Sequence, residues 1–241
     1  MSIQLSDIHK KFDALKVLLE FDIQLENDKR HCLFGPSGCG KTTLLNIIAG
    51  ITPPDSGVVT GISNRKIGYV FQEERLLPWR TVFENVAFVL NGKMPVQEIE
   101  KKVHEVLDLV QLSAFKDHYP EALSGGMKQR VSLARAFAYD AEILLLDEPF
   151  KGLHFELKYT LMDYVLAYCK IRKPVLIFTT HDPDEALYLA TDVYVLTGPP
   201  LNLTKRLEID VLQEVRRNNP ESLLPYKRLI TQHNKKNMGL E

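Results

Sequence analysis

The sequence predicts an α/β protein in which parallel strands are covered by helices on both faces. Three observations support this fold class. Runs of unalternated aliphatic residues, such as "EILLLDE" and "VLIFTT", are typical of buried parallel strands. Helical patterns separate these runs along the chain. A block from about residue 73 to residue 137 is helical in character, and we interpret it as a helical subdomain inserted into one domain that covers residues 1–241.

The individual elements follow from local patterns. "HCLFG" reads as a short buried strand, and "KTTLLNIIAG" as a helix that ends at Gly50. "KIGYVFQ" and "DVYVL" are further strands, and "TPPDSG" is a turn. An amphipathic helix is predicted in "PVQEIEKKVHEVLDLVQL", whose apolar face is formed by Val96, Ile99, Val103, Val106, Leu107 and Val110. The charged tail, from about residue 200 to residue 241, is predicted to be peripheral helix and loop.

Composition excludes several classes of protein. A formal net charge of -1 disfavours a dedicated nucleic-acid binder, which is usually strongly basic on one face. The three cysteines form no pattern of a disulfide framework or metal site, which favours a reduced, intracellular setting. The N-terminus lacks the apolar stretch of a secretory signal, and no apolar run reaches the roughly 20 residues that span a bilayer. We therefore expect a soluble chain.

A phosphate-binding loop is predicted where a strand meets a helix. "GPSGCGKT" fits the pattern G-x-x-x-x-G-K-[ST], with a strand before it and a helix after it. Glycines let backbone N–H groups converge on phosphate oxygens, and the helix N-terminus adds partial positive charge. Lys41 is expected to reach the β- and γ-phosphates, Thr42 to ligate Mg²⁺ and Thr43 to contact the α-phosphate. The predicted binding residues are Gly35, Pro36, Ser37, Gly38, Cys39, Gly40, Lys41, Thr42 and Thr43.

Two adjacent acids follow a buried strand. Asp147 and Glu148 end "ILLLDE", at the carboxyl edge where α/β sheets bind ligands. Neighbouring carboxylates repel each other, so a cation or a shared task is expected there. We assign Asp147 to Mg²⁺, and Glu148 to polarising a water for attack on the γ-phosphate.

The stretch "LSGGMKQR" places two glycines after Ser124, where a helix is about to begin. With the phosphate loop and the acid pair, it makes residues 12–197 resemble the ATP-binding subunits of ABC transporters. The resemblance implies a P-loop NTPase core with a RecA-like parallel sheet, an N-terminal antiparallel β part and an inserted helical subdomain. It also implies that Ser124, Gly125 and Gly126 contact the γ-phosphate of an ATP held by a second subunit. Ser124 as an ordinary helix N-cap is compatible with that role.

The resemblance assigns three further positions. Gln72, after "YVF", matches the glutamine that contacts Mg²⁺ and the attacking water. His181, after "VLIFTT", matches the histidine that contacts the γ-phosphate, and the next residues predict a helix start with Asp182 as N-cap and Glu185 completing a capping box. Phe12 matches the aromatic residue that stacks on adenine. The implied cofactors are ATP and Mg²⁺.

One segment departs from the family pattern. After the acid pair the family usually has a small residue followed by Ala-Leu-Asp, whereas this chain reads "FKGLHFE". Lys151 replaces the small residue, and His154 replaces the aspartate that helps to couple two ATP sites. We expect either an active but weakly coupled site or a heterodimer whose partner compensates.

"LLPWRTVFENV" and "GGMKQRV" resemble the importer branch that handles sulfonates, nitrate, taurine and pyrimidine or thiamine precursors. The implied function is ATP hydrolysis that powers import by dimer closure, at the cytoplasmic face of the cell membrane. Implied partners are permease subunits, a second ATP-binding subunit in a homodimer or heterodimer, and indirectly an extracytoplasmic solute-binding protein. "LLPW" is either core of the helical subdomain or part of a groove for a permease helix. Alternatives are a soluble ABC-type ATPase, an exporter subunit and a weakly hydrolysing regulatory paralogue.

Overall fold

The structure is a computed structural model that describes residues 2–237, with side chains described up to Thr231. Met1 and residues 238–241, which the predicted domain and tail include, lie outside the described residues. The chain divides into two units. The terminal unit is formed by Met1–Arg65 and Pro174–Glu241, and the central unit by Lys66–Lys173. No helix in the described part of the chain is long and apolar enough to cross a membrane.

The terminal unit contains an antiparallel sheet and a set of mainly parallel strands. The antiparallel sheet has the order β2-β1-β4, with β1 at Ile3–Phe12, β2 at Leu15–Leu25 and β4 at Ser56–Thr60. Four further strands follow the order β7-β3-β8-β9. Of these, β7 (Val175–Thr180), β3 (Arg30–Phe34) and β8 (Asp192–Thr197) are parallel, and β9 (Asn202–Glu208) pairs antiparallel with β8.

The helices of the terminal unit are α1 (Lys41–Ile48), α6 (Pro183–Leu189), α7 (Gln213–Asn218) and α8 (Leu224–Asn237). Helix α1 begins where β3 ends, after the loop 35–40, because Gly40 adopts a left-handed conformation that turns the chain. Its apolar residues Leu44, Leu45, Ile47 and Ile48 are all buried. The strand–loop–helix unit predicted for the phosphate loop is therefore confirmed as local structure.

The central unit pairs two parallel strands with four helices. Strand β5 (Ile67–Val70) lies parallel to β6 (Ile143–Asp147), whose residues are all buried. The helices are α2 (Val82–Ala87), α3 (Val96–Leu109), α4 (Gly125–Ala138) and α5 (Phe155–Arg172), with short 3₁₀ turns at 88–90, 113–115 and 120–122. A capping box between Thr81 and Glu84 fixes the start of α2.

Two local predictions differ from the structure. Val96 was expected on the buried face of α3 but is 75% exposed, because it is the first residue of the helix and precedes the turn that packs inward. The tail was expected to be helix and loop, but its residues 202–208 form the edge strand β9. Lys205 and Arg206 on this edge are typical of strands that are protected from further pairing.

Candidate functional site

Two glycines shape the predicted phosphate loop through close backbone contacts. A Cβ on Gly35 would lie 2.5 Å from the Leu196 carbonyl oxygen, so the end of β3 can approach β8 only without a side chain. Gly40 has a φ of 114°, and a Cβ there would lie 3.0 Å from Val17. At both positions the loop lies too close to its neighbours for a side chain, which is why glycine is required there.

Lys41 is folded back onto the loop. Its ammonium donates to the carbonyl oxygens of Gly35 and Pro36, both at 2.8 Å, and the residue is only 4% exposed. A buried ammonium is costly unless it is hydrogen-bonded, and these carbonyls satisfy it. The loop therefore holds a positive charge at the start of α1.

The outer part of the loop is open. Ser37, Gly38 and Thr42 are exposed, and a Cβ on Gly38 would meet no heavy atom of the described chain within 4 Å. Cys39 is buried, and its N–H donates to the Pro36 carbonyl at 3.5 Å, so its side chain packs inside the loop. Within the described residues, the start of α1 has no side-chain cap and no acid in its first turn. Its N–H groups and partial positive charge are thus available to an anion.

Phe12 lies at the end of β1 and is 47% exposed. The Lys10 ammonium stands 5.5 Å from the centre of its ring. An exposed aromatic face beside a cation can stack on a planar base.

The acid pair lies at the end of β6 in the central unit. Asp147 is the last residue of the strand and is 3% exposed, and Glu148 is 8% exposed with a φ of 44°. The backbone just beyond them is fixed by Gln129 of α4, whose side-chain amide donates to the Pro149 carbonyl at 2.6 Å. Sequence reasoning missed Gln129, because its partner lies 20 residues away. This contact ties the signature helix to the acid pair.

The signature stretch starts α4, and Ser124 is its N-cap. The Ser124 hydroxyl accepts the Met127 N–H at 3.3 Å. Gly125 is exposed, and a Cβ there would have no heavy atom of the described chain within 4 Å. Gly126 differs, since a Cβ on it would lie 2.2 Å from Cδ2 of Leu157 in α5. One glycine therefore faces open space, and the other makes room for an internal side chain.

Gln72 is exposed and follows β5 by two residues. The stretch "LLPW" comes next, with Leu76 and Leu77 half-buried and Trp79 69% exposed. Buried Asn85 accepts the Leu77 N–H at 2.8 Å and donates to its carbonyl at 3.1 Å, which fixes this loop.

The central unit also contains a groove of about 470 Å³. Its walls combine aromatic rings with cations: the Arg75 guanidinium lies 4.0 Å from the ring centre of Phe71, and the Lys93 ammonium 3.9 Å from that of Tyr139. Arg135, also in the wall, donates to the Arg75 carbonyl at 2.7 Å, and burial lowers its pKa. The groove is lined by these neighbours of the "LLPW" stretch rather than by the stretch itself.

His181 is exposed and lies two residues before the start of α6 in the terminal unit. Asp182 caps this helix by accepting the Asp184 N–H, as predicted. The predicted capping box is wrong in its second half. The Asp182 N–H donates to the Thr180 hydroxyl at 3.0 Å, and that hydroxyl donates to the buried Glu185 carboxylate. Thr180 can reach both groups because it is the last residue of β7, two residues before Asp182.

The C-terminal helices hold α6 at both ends, a contact that sequence reasoning missed. Buried Arg216 of α7 donates to the carbonyls of Leu187 and Ala190, and burial lowers the pKa of Arg216 to about 10. Lys227 of α8 pairs with Asp184 at 2.6 Å. The tail therefore supports the helix that follows His181.

The predicted site residues thus fall into two sets, each described within its own unit. The terminal unit carries the phosphate loop, Phe12 and His181, and the central unit carries Gln72, the acid pair and the signature stretch. Within the terminal unit, the phosphate loop has the chemistry to hold a triphosphate, and each unit carries oxygen groups of the kind that Mg²⁺ binds. The open Gly38 leaves room for a phosphate, and hydroxyl and carboxylate oxygens are the ligands that Mg²⁺ prefers.

A glycine-rich loop between a parallel strand and a helix, with its lysine held on the loop carbonyls, defines the class of P-loop nucleoside triphosphatases. Within that class, the chain belongs to the ABC transporter family, whose model matches residues 18–151.

Similar proteins agree with this assignment. The chain is 37% identical over 242 residues to an aliphatic sulfonates import ATP-binding protein of Bacillus cereus, which covers 96% of this chain and 95% of the relative. It is 40% identical over 210 residues to a sulfate/thiosulfate import ATP-binding protein of Pseudomonas aeruginosa, with 81% of this chain covered. The chain spans only 64% of that second relative's length.

Among solved structures, the chain is similar to the dimeric ATP-binding cassette MJ0796 bound to ADP and phosphate. The TM-score is 0.77 and the identity 26%, over 87% of this chain and all of that one. The predicted family, fold and ATPase class are therefore confirmed, and ATP with Mg²⁺ is the nucleotide and metal of that class.

Proposed function

We propose that the chain is the ATP-binding and hydrolysing subunit of an importer, and that it powers uptake of a small solute through a membrane permease. The observation that carries this proposal is the buried Lys41 ammonium held on the Gly35 and Pro36 carbonyls, next to a helix start that is open to an anion. Such a site suits a triphosphate, because the cation and the backbone N–H groups both favour phosphate oxygens.

Binding follows from the terminal unit. The loop N–H groups of Ser37, Gly38 and Gly40 receive the phosphates, and Lys41 moves its hydrogen bonds from the loop carbonyls to the β- and γ-phosphates. Thr43 contacts the α-phosphate, and the exposed ring of Phe12 stacks on the adenine.

Hydrolysis follows from the acid pair. Glu148 accepts the proton of the attacking water, and Gln72 and His181 orient the water and the γ-phosphate. Thr42, Gln72 and Asp147 would hold Mg²⁺, which when bound neutralises charge that develops on the phosphate oxygens.

The signature stretch implies a second copy. Ser124 and the N–H groups of Gly125 and Gly126 would complete the site of a neighbouring subunit, so that ATP closes a dimer and its hydrolysis releases it. The exposed Gly125 supports this role, because nothing within the described chain covers it. With His154 in place of the usual aspartate, we propose weak coupling between the two sites, in a homodimer or in a heterodimer whose partner compensates.

We place the chain at the cytoplasmic face of the membrane, bound to permease subunits, with an extracytoplasmic solute-binding protein as an indirect partner. The groove in the central unit suits a short permease helix, since its aromatic walls can pack an apolar face and its cations can pair with an acid. We propose a sulfonate or a related solute, because the relatives described above are named for sulfonate and sulfate import. Their names favour an importer over a soluble ATPase, an exporter or a regulatory paralogue.

The test compares Glu148→Gln with the unchanged protein and with Glu105→Gln, which alters an exposed glutamate of α3. We expect Glu148→Gln to lower the ATP hydrolysis rate by about 100- to 10,000-fold, the range for loss of a general base. With ATP and Mg²⁺ it should also accumulate as a dimer in light scattering. Cells that carry Glu148→Gln should fail to grow on an aliphatic sulfonate as sole sulfur source.

A different experimental result would contradict each part of the proposal. Hydrolysis that persists in Glu148→Gln would contradict the role of Glu148. A variant that stays monomeric with ATP would contradict dimer closure. Normal growth on sulfonates, with hydrolysis abolished, would exclude that class of solute and leave the ATPase assignment standing.

A further inference from the structure

The segment after the acid pair is a tight turn with a fixed backbone. The Lys151 N–H donates to the Glu148 carbonyl at 3.2 Å, and the Leu153 N–H donates to the Phe150 carbonyl at 3.3 Å. Phe150 is fully buried, and Gly152 has a φ of 73°. Because the backbone is held on both sides of Lys151, the start of its side chain has a defined direction.

That side chain reaches back to the acid pair. The Lys151 ammonium lies 2.9 Å from Oε2 of Glu148. The Glu148 side chain is 9% exposed, whereas that of Lys151 is 44% exposed. The ammonium therefore meets the buried carboxylate from the side that faces solvent.

We propose that Lys151 is a brake on ATP hydrolysis: a positioning residue that holds the Glu148 carboxylate and has to release it before Glu148 can take a proton from water. The proposal rests on the proposed role of Glu148. The attraction between the two opposite charges, 2.9 Å apart, has to be overcome before the carboxylate can turn to a water. Because Lys151 is partly exposed and has a flexible stem, the pair opens at modest cost, so it slows hydrolysis without abolishing it.

The substitutions separate charge from size. Lys151→Met keeps an unbranched stem and removes the charge, and Lys151→Arg keeps the charge. Lys101→Met, at an exposed position of α3, is the matched control. We expect Lys151→Met to raise kcat by up to about fivefold, the factor that corresponds to a partly exposed ion pair, with KM for ATP unchanged. Lys151→Arg and Lys101→Met should remain close to the unchanged protein.

A second measurement needs no nucleotide. Urea unfolding of Lys151→Met, Glu148→Gln and the double variant gives the coupling between the two side chains. We expect Lys151→Met to lower the unfolding midpoint when Glu148 is present and to have no effect in Glu148→Gln. This result would establish the ion pair in the nucleotide-free protein independently of hydrolysis.

The outcomes are distinct. Coupling in urea with an unchanged kcat in Lys151→Met would make the ion pair purely structural and overturn the proposal. A lower kcat would also overturn it, because Lys151 would then assist the reaction. Absence of coupling would remove its structural basis. If Glu148→Gln hydrolyses ATP normally, the proposed role of Glu148 fails, whatever Lys151 does.

Discussion

The phosphate loop and the signature stretch both begin a helix with glycine, but they are built differently. At the start of α1, the Lys41 ammonium donates hydrogen bonds to carbonyl oxygens of the loop itself. At the start of α4, the Ser124 hydroxyl caps the helix and Gly125 is exposed. In both described first turns acids are absent, whereas α2, α3, α5 and α6 each carry at least one there. Both helix starts therefore keep their partial positive charge for an outside anion.

The difference lies in what each start supplies. The phosphate loop combines N–H groups with a cation and so forms a complete cradle within one chain. The start of α4 offers N–H groups and a hydroxyl but no cation. It therefore suits a phosphate that is already bound by the phosphate loop of another subunit. We therefore expect changes in the phosphate loop to abolish nucleotide binding, and changes in the signature to affect association while binding by one chain persists.

The largest effect is expected for Lys41→Ala. The substitution removes the Lys41 ammonium, so the triphosphate loses its strongest contact with the loop. We expect hydrolysis to fall by about 100- to 1,000-fold, as when one strong electrostatic contact to a transition state is lost. ATP affinity, measured by isothermal titration, should fall with it. The control is Lys101→Ala in the exposed part of α3. Unchanged ATP affinity in Lys41→Ala would show that this loop does not bind the triphosphate.

Local signals made the phosphate loop predictable from the sequence. The strand, the glycines and the helix lie within about twenty residues, and each follows from its own composition. Contacts between distant residues were not predictable. Gln129 meets the Pro149 carbonyl and Gly126 meets Leu157, yet no local pattern marks either pair. The capping-box prediction was wrong for a related reason. The Asp182 N–H and the Glu185 carboxylate, which would bond to each other in a capping box, both bond to the hydroxyl of Thr180 in the preceding strand.

An intermediate effect is expected for Gly126→Ala. Its new Cβ would lie 2.2 Å from Leu157 Cδ2, so the Leu157 side chain has to move. Because only the end of a flexible side chain is in the way, we expect a loss of about 1 kcal/mol, the lower end of the cost of overpacking. Urea unfolding measures this loss. The loss should shrink when Gly126→Ala is added to Leu157→Ala, which removes the obstructing atoms. An equal loss in both backgrounds would mean that the second glycine has another purpose.

The smallest effect on stability is expected for Gly125→Ala, the matched partner of that variant. Here the new Cβ points into open space, and the backbone is one that alanine adopts without strain. Alanine restricts the unfolded chain, so the free energy of unfolding should rise by up to about 1 kcal/mol. In the Glu148→Gln background, the same variant should weaken the ATP-dependent dimer, because the methyl group occupies the space where a neighbour's phosphate would approach. A dimer as tight as before would show that the open glycine serves no second subunit, and the contrast between a complete cradle and a half-site would then be lost.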